Sequence, residues 1–223
     1  HRLRDLVAIA KSQGVHVIDV PPRDFDDAVS SDMNHQGVIA LTKPRDMESE
    51  SALPVLLDGI ENPLVLVLDG VTDPHNFGAC LRSAEAFGAA CVIVPKDNAA
   101  PLNQVARKTS SGASELVPVV KVTNLARCLR GLQQDGFWVV GTAGESPAGL
   151  DQASHSGPMA LVMGSEGAGL RRLTREVCDV LVAIPMSGHI ESLNVSVATG
   201  VLLYDLQNRR GALDASRAYE ERL

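Results

Sequence analysis

No apolar run in this sequence is long enough to span a bilayer as a helix, so no membrane partner is expected. No basic-then-apolar segment of the signal-peptide kind is present. There is no C-x-x-C pair: Cys80, Cys91, Cys128 and Cys178 stand singly among apolar neighbours. That pattern reads as buried free thiols in a reducing cytoplasm and argues against a zinc site. The 6 histidines contain no H-x-x-x-H pair, so a metal enzyme is not expected. An excess of positive charge is also missing, because the formal net charge is −7. Taken alone, this argues against a nucleic-acid partner, although a local basic patch outweighs the total. Arg82, Arg107, Lys108, Arg127, Arg130, Arg171, Arg172 and Arg175 are the candidates for such a patch, with ordinary solvated helix faces as the competing reading. Internal repeats and low-complexity tracts are absent too.

What is present is a globular composition. With 223 residues, 45% of them hydrophobic, the chain can bury one substantial core and a small second one. The 21% of charged residues leaves no room for long disordered tracts. The chain opens at His1 inside a helical pattern, so further residues are expected before it.

Leu3, Leu6, Val7 and Ala10 have helical spacing over Arg2–Ser12, ended by Gly14. Val15–Val20 reads as a strand, Phe25–Val29 as a short helix and Gly37–Thr42 as a strand, giving a small α/β domain over residues 1–42. Residues 43–62 read as a linker with a short helix near Leu53–Ile60. From Pro63 the pattern becomes apolar strands alternating with amphipathic helices. Strands are expected at Leu64–Leu68, Cys91–Val94, Val117–Val120, Phe137–Gly141, Met159–Met163 and Val180–Ile184. Helices are expected at Asn76–Phe87, Leu102–Thr109, Leu125–Gln134, Leu170–Val177 and Leu193–Asn208. The continuous apolar runs suit strands buried on both faces, so the class is a doubly wound α/β parallel sheet over residues 63–208. Residues 209–223 read as a charged C-terminal extension.

In open α/β sheets ligands bind beyond the carboxyl ends of the strands, so those loops carry the argument. The first runs from Asp69 to Ala79. It contains Asn76, a natural helix cap, and is followed by Arg82 between apolar neighbours, a pattern suited to an anion. Another is Gly141-Thr142-Ala143-Gly144-Glu145, small enough for close ligand approach and equally compatible with a plain turn. Met163-Gly164-Ser165-Glu166-Gly167-Ala168-Gly169 has G-x-x-G-x-G spacing after a late strand. A nicotinamide-binding sheet would place G-x-G-x-x-G at its first strand, and Glu166 would repel a pyrophosphate. The last loop, from Ile184 to Gly200, leads into a helix with Ser192 as a sensible cap. Asn194 and Ser196 are polar choices that local helix rules do not explain.

Three segments of this chain, in this order, resemble the motifs of the SpoU (TrmH) family of RNA ribose 2′-O-methyltransferases, in the SPOUT superfamily. They are Asn76-Phe77-Gly78-Ala79 with Arg82-Ser83-Ala84, then Met163 to Gly167, then Ile184-Pro185-Met186 through Glu191-Ser192-Leu193-Asn194-Val195-Ser196-Val197-Ala198. The wording around them, including Leu68 to Asn76 and Arg171-Arg172-Leu173-Thr174-Arg175-Glu176, is similar to members that methylate a guanosine of 23S ribosomal RNA. His35-Gln36-Gly37-Val38 is similar to the end of a small N-terminal RNA-binding domain whose front is absent here.

The resemblance implies a C-terminal trefoil knot, which general topology rules would argue against. It also implies a homodimer through the knot region and S-adenosyl-L-methionine as cofactor. Thr142, Gly144, Gly164, Ile184, Met186 and Leu193 would line the cofactor pocket, and Asn76, Arg82, Glu166, Ser192 and Asn194 would form the catalytic group. The family's proposed base is Arg82. A guanidinium stays protonated at ordinary pH, so Arg82 is expected instead to hold phosphate and stabilise the developing alkoxide. Glu166 or a water is left to accept the proton. The alternatives within reach are a transfer-RNA methyltransferase of the same family and a non-catalytic RNA-binding or ribosome-assembly protein on the same fold.

Overall fold

The computed structural model describes residues 2–21, 23–24, 37–41, 43–153 and 155–220, with backbone alone for residues 2 and 212–220. The chain divides into two compact units, His1–Pro44 and Arg45–Leu223. In the first, helix α1 spans Arg2–Ser12, with Asp5 in its first turn and Lys11 in its last, matching the helix dipole. Gly14 then turns the chain out of the helix at φ 71°. The strand expected at Val15–Val20 does not form: the segment has no pairing partner among the described residues, and Val15 and Ile18 are exposed. A strand exists only through its neighbour, so β-branched residues alone do not make one. Residues 38–41 form no strand among the described residues, while the expected Phe25–Val29 helix, His35, Gln36 and Thr42 lie outside them.

The second unit is a seven-stranded sheet in the order β1-β4-β3-β2-β6-β5-β7, with every pairing parallel. Its strands are β1 (Glu48–Ser49), β2 (Leu64–Asp69), β3 (Cys91–Pro95), β4 (Val119–Val122), β5 (Trp138–Thr142), β6 (Met159–Gly164) and β7 (Val180–Val182). The helices are α2 (Leu53–Leu57), α3 (Pro74–Ala86), α4 (Gln104–Thr109), α5 (Ala113–Leu116), α6 (Leu125–Gln134), α7 (Arg172–Val177) and α8 (Val195–Glu220). Strand β2 shows why apolar runs mark this architecture. Leu64, Leu66 and Leu68 point into one core with Phe77 and Leu81 of α3 and Leu202, Leu203 and Leu206 of α8. Val65 and Val67 point into the other, with Leu125 and Leu129 of α6 and Val177 of α7. Both faces are covered, as in a doubly wound sheet.

Two boundaries differ from the sequence reading. Part of the segment read as a linker is an edge strand, since Glu48 pairs with Val120 and Ser49 with Lys121. The helix expected to stop at Asn208 continues to Glu220. Arg210, read as part of a charged extension, is 8% exposed and donates to the carbonyls of Asn62 and Gly157. Its charge looks solvated in sequence, but its position on α8 faces backbone acceptors, and burial with such partners is tolerated.

The strand order also sets the site. Strands β2, β3 and β4 progress in one direction, and the chain then crosses to β5 on the far side, with β6 inserted between β2 and β5. The reversal of strand order places the carboxyl ends of β2, β6, β5 and β7 side by side, which is where a doubly wound sheet binds ligand.

Candidate active site

Four loops leave those strand ends. The β2 loop closes on α3, where Asp73 caps the helix by accepting from Asn76 N at 3.0 Å and Pro74 stands in the first turn. This fixes the Asn76 side chain at the helix start without using it as the cap. The β6 loop folds back on itself: Ser165 and Gly169 exchange two backbone hydrogen bonds, 3.1 and 3.0 Å long. The fold-back is so tight that a Cβ on Gly164 would lie 2.3 Å from the carbonyl carbon of Gly169. Glu166 sits at the tip. Residues 183–194, after β7, carry no regular structure and deliver Asn194 to the start of α8.

These elements bring three side chains together. Asn76 Nδ2 donates to Glu166 Oε1 at 3.1 Å. Asn194 Nδ2 donates to the same oxygen at 2.6 Å and to Asn76 Oδ1 at 2.9 Å. The backbone N–H of Val195 donates to Glu166 Oε1 at 3.2 Å. A carboxylate oxygen receiving three N–H groups is an anchor, held by charge-assisted bonds. The partners span 118 positions of sequence, from Asn76 to Asn194. Asn194 also caps α8, its Oδ1 accepting from Ser196 N at 2.9 Å and from Ser196 Oγ at 2.5 Å. The cap expected at Ser192 is therefore at Asn194. Ser192 is exposed in the loop before it and takes no part in the triangle.

Arg82 is not in the triangle either. Six residues along a helix turn it to another face, and its Nη1 donates instead to Ser111 Oγ at 3.3 Å. Helices α3 and α8 pack together below the triangle, with Cys80 Sγ and Thr199 Oγ1 3.5 Å apart. A Cβ on Gly200 would come 3.5 Å from Ser83 Oγ. Burial, only partly opposed by the Thr199 hydrogen bond, pushes the Cys80 thiol up to about 11, so it is no nucleophile. All four cysteines are free, as read from their surroundings, and no metal-holding cluster occurs among the described residues.

Thr142 and Gly164 end β5 and β6, Gly144 follows β5, and Ile184, Met186 and Leu193 lie on the segment between β7 and α8. Thr142 Oγ1 donates to Val162 O at 3.2 Å, joining β5 to β6, and nothing stands within 4 Å of a Cβ placed on Gly144. Ile184 packs against the core, whereas Met186 and Leu193 are 39% and 37% exposed. The β5 loop is tied to α7 by an ion pair between Arg175 and Glu145. Its own backbone N–H and Arg175 together hold the Glu145 carboxyl below its usual range.

Asp69 is a structural position that the sequence alone does not mark. It ends β2 fully buried, at 0% exposure, and accepts from Arg171 N at 3.0 Å and Arg171 Nε at 2.5 Å. This clamp fixes the far end of the Glu166 loop. Its only trace in the sequence is a lone acidic residue directly after five apolar ones. Much of the expected basic patch is neutralised: Arg107 pairs with Glu115, Arg127 with Glu50, Arg171 with Asp69, Arg172 with Glu176 and Arg175 with Glu145. The solvated-face reading holds for most of these cations.

The arrangement is that of a known group of proteins. Residues 63–204 match the model of the SpoU rRNA Methylase family, and residues 1–47 match that of the RNA 2′-O ribose methyltransferase substrate-binding domain. The 23S rRNA (guanosine-2′-O-)-methyltransferase RlmB of Yersinia pestis is 54% identical over 210 residues, 94% of this chain and 85% of that protein. The protein of the same name from Escherichia coli K12 is 53% identical, over 94% of this chain and 86% of its own. Among solved structures, the AdoMet-bound rRNA methyltransferase from Sinorhizobium meliloti aligns with TM-score 0.72 and 25% identity, over 93% of this chain and 77% of that one. The SpoU methyltransferase AviRb from Streptomyces viridochromogenes, in complex with AdoMet, aligns with TM-score 0.64 and 30% identity, over 70% and 61%. A family match spanning most of the chain and a triangle built from one residue of each expected motif point the same way: this chain belongs to the SpoU rRNA methylase family.

Proposed function

We propose that this chain transfers the methyl group of S-adenosyl-L-methionine to the ribose 2′-hydroxyl of a guanosine in 23S ribosomal RNA. The observation that carries the reading is the Asn76–Glu166–Asn194 triangle at the strand-order reversal. The relatives at 54% and 53% identity supply the substrate class. A sheet that pairs Thr142 with Val182 and Asp69 with Gly164 lines up the loops for a nucleoside-sized ligand. The part-exposed Met186 and Leu193 offer apolar surface, and open backbone at Gly144 permits close approach, which fits a cofactor with a flat base and a thioether arm. When bound, the cofactor supplies a methyl group on a sulfonium, already a good electrophile.

The protein then has to align the ribose oxygen and handle its proton. Arg82, held out from α3, binds an RNA phosphate and stabilises negative charge on the ribose oxygen. Glu166 Oε1 is committed to three N–H donors, so that oxygen serves as an organiser. The proton goes to Oε2 or to a water. Ser192, exposed beside Asn194, contacts substrate and not the triangle.

Four further features belong to the same proposal. Residues 1–42 belong to an RNA-binding domain, 43–62 lead into the catalytic unit and lend it the edge strand Glu48–Ser49, 63–208 form its body, and the segment from residue 209 extends its last helix to Glu220. The insertion of β6 between β2 and β5, followed by the return of α8 onto α3, supports a trefoil knot. Val197, Val201 and Tyr204 recur on one face of α8 and are 52%, 40% and 58% exposed, which supports a homodimer through that helix. The setting is the cytoplasm, where ribosomal RNA is modified; no described helix is long and apolar enough to cross a membrane. Nucleoside mapping of 23S and transfer RNA from cells lacking the protein tests the function. One 2′-O-methylguanosine should vanish from 23S RNA with transfer RNA unchanged; loss confined to transfer RNA would favour the alternative substrate.

A further inference from the structure

We infer that Ser111 is a positioning residue for Arg82, an inference that rests on the proposed phosphate-binding role of that arginine. Two independent observations meet at this position. Ser111 Oγ accepts from Arg82 Nη1 at 3.3 Å. Ser111 also adopts φ 51°, a left-handed conformation uncommon for a residue other than glycine.

The neighbourhood explains how the serine is held there. Residues 75, 78 and 82 fall on one stripe of α3. His75 Nδ1 lies 3.4 Å from Thr109 Oγ1. At Gly78 the two elements nearly touch, since a Cβ would lie 2.4 Å from Ala106 O and 2.8 Å from Thr109 Cβ. The third contact on the stripe is Arg82 with Ser111. The turn is closed by Ser111 N donating to Lys108 O at 3.2 Å and by Ser110 Oγ, which donates to Arg107 O at 2.8 Å and accepts from Ser114 N at 3.2 Å. Gly112 follows at φ 96°. The glycine contact sets the distance between α3 and the turn, and the left-handed step aims the hydroxyl at the guanidinium.

A free arginine side chain samples many rotamers. A fixed acceptor on one Nη narrows that freedom and leaves the remaining N–H groups for phosphate. The hydroxyl therefore acts on turnover through Arg82 and makes no contact with cofactor.

The test is steady-state kinetics of Ser111→Gly, with cofactor calorimetry and thermal unfolding on the same protein. Glycine takes φ 51° without strain, so the variant removes the hydroxyl and keeps the turn. The expected result is a fall in kcat of about ten-fold, the loss of one hydrogen bond to a charged group. KM and Kd for S-adenosyl-L-methionine and the unfolding midpoint should stay unchanged. Ser111→Asn, which tolerates the left-handed region and restores an acceptor, should recover part of the rate. Wild-type or raised kcat in Ser111→Gly overturns the inference, as does a loss of rate that accompanies a lowered unfolding midpoint. Arg82→Ala separates the two levels: if it is inactive while Ser111→Gly is normal, only the role of Ser111 fails. If Arg82→Ala turns over normally, the role of Arg82 fails and that of Ser111 falls with it.

Discussion

Asn194 has two duties, and replacing it separates them. Its Oδ1 caps α8 by accepting from Ser196 N at 2.9 Å, and its Nδ2 donates to Glu166 Oε1 at 2.6 Å and Asn76 Oδ1 at 2.9 Å. Asn194→Ala loses both. The cap contributes about 1 kcal/mol. The charge-assisted bond is worth roughly 1.5–3 kcal/mol when desolvated, and less for stability here because Asn194 and Glu166 are both exposed. A total of about 1–2 kcal/mol corresponds to a fall in Tm of roughly 3–6 °C for a unit of this size. Turnover should fall further, because Glu166 loses its strongest donor where orientation decides rate. The full 1.5–3 kcal/mol corresponds to roughly ten- to hundred-fold in kcat. Asn194→Ser is the decisive partner. Serine caps a helix as well as asparagine but provides no amide donor, so stability should return while kcat stays low. Calorimetric unfolding and single-turnover methyl transfer on both variants read the two effects separately. Full turnover in Asn194→Ser would leave asparagine as a cap and nothing more, and the triangle would lose its proposed role.

Other outcomes follow from the same contacts. Arg82→Ala should abolish methyl transfer while S-adenosyl-L-methionine still binds by calorimetry; near-normal turnover would remove Arg82 from the chemistry. Gly164→Ala should cost about 1–3 kcal/mol of stability, because its Cβ meets Gly169 backbone at 2.3 Å, and should weaken cofactor binding. An unshifted unfolding midpoint would mean that the loop accommodates the methyl group. Burial raises Cys91, Cys128 and Cys178 to about 12 and Cys80 to about 11. The folded chain therefore retains thiol protons that the unfolded chain releases above about pH 9, and stability should fall with pH from there to about pH 11 for Cys80 and about pH 12 for the other three. Each buried thiol contributes up to about 1.4 kcal/mol per pH unit in that window. Urea titrations across it should show the loss, and equal stability at pH 8 and pH 10 would contradict the burial of the thiols.

The strands of the second unit were legible because a sheet covered on both faces writes itself as apolar runs such as Leu64–Leu68. Helix α6 was legible through its amphipathic spacing and Gly136 beyond its end; the structure adds Asn124 as its cap. What stayed hidden depends on distant partners. A strand of two residues, Glu48–Ser49, is defined by the edge of β4 and has no pattern of its own. Val15–Val20 has the composition of a strand but no pairing neighbour among the described residues. The three motifs named Asn76, Glu166 and Asn194, yet spacing alone did not say which of the five catalytic candidates would touch. Asn76 and Asn194 each open a helix at a strand-end loop, so their side chains converge on Glu166, whereas Arg82 is carried round the helix to Ser111. Asp69 was missed because the strand was read as ending at Leu68, one residue before the carboxylate that clamps Arg171.

The most direct test of the central claim is methyl transfer in vitro. Purified protein, labelled S-adenosyl-L-methionine and a 23S ribosomal RNA transcript are incubated, and the product is digested and identified by mass spectrometry. The account predicts a single 2′-O-methylguanosine in 23S RNA, lost in Arg82→Ala and strongly reduced in Asn194→Ser. Methylation on a base, or no transfer by protein that binds both cofactor and RNA, would contradict it.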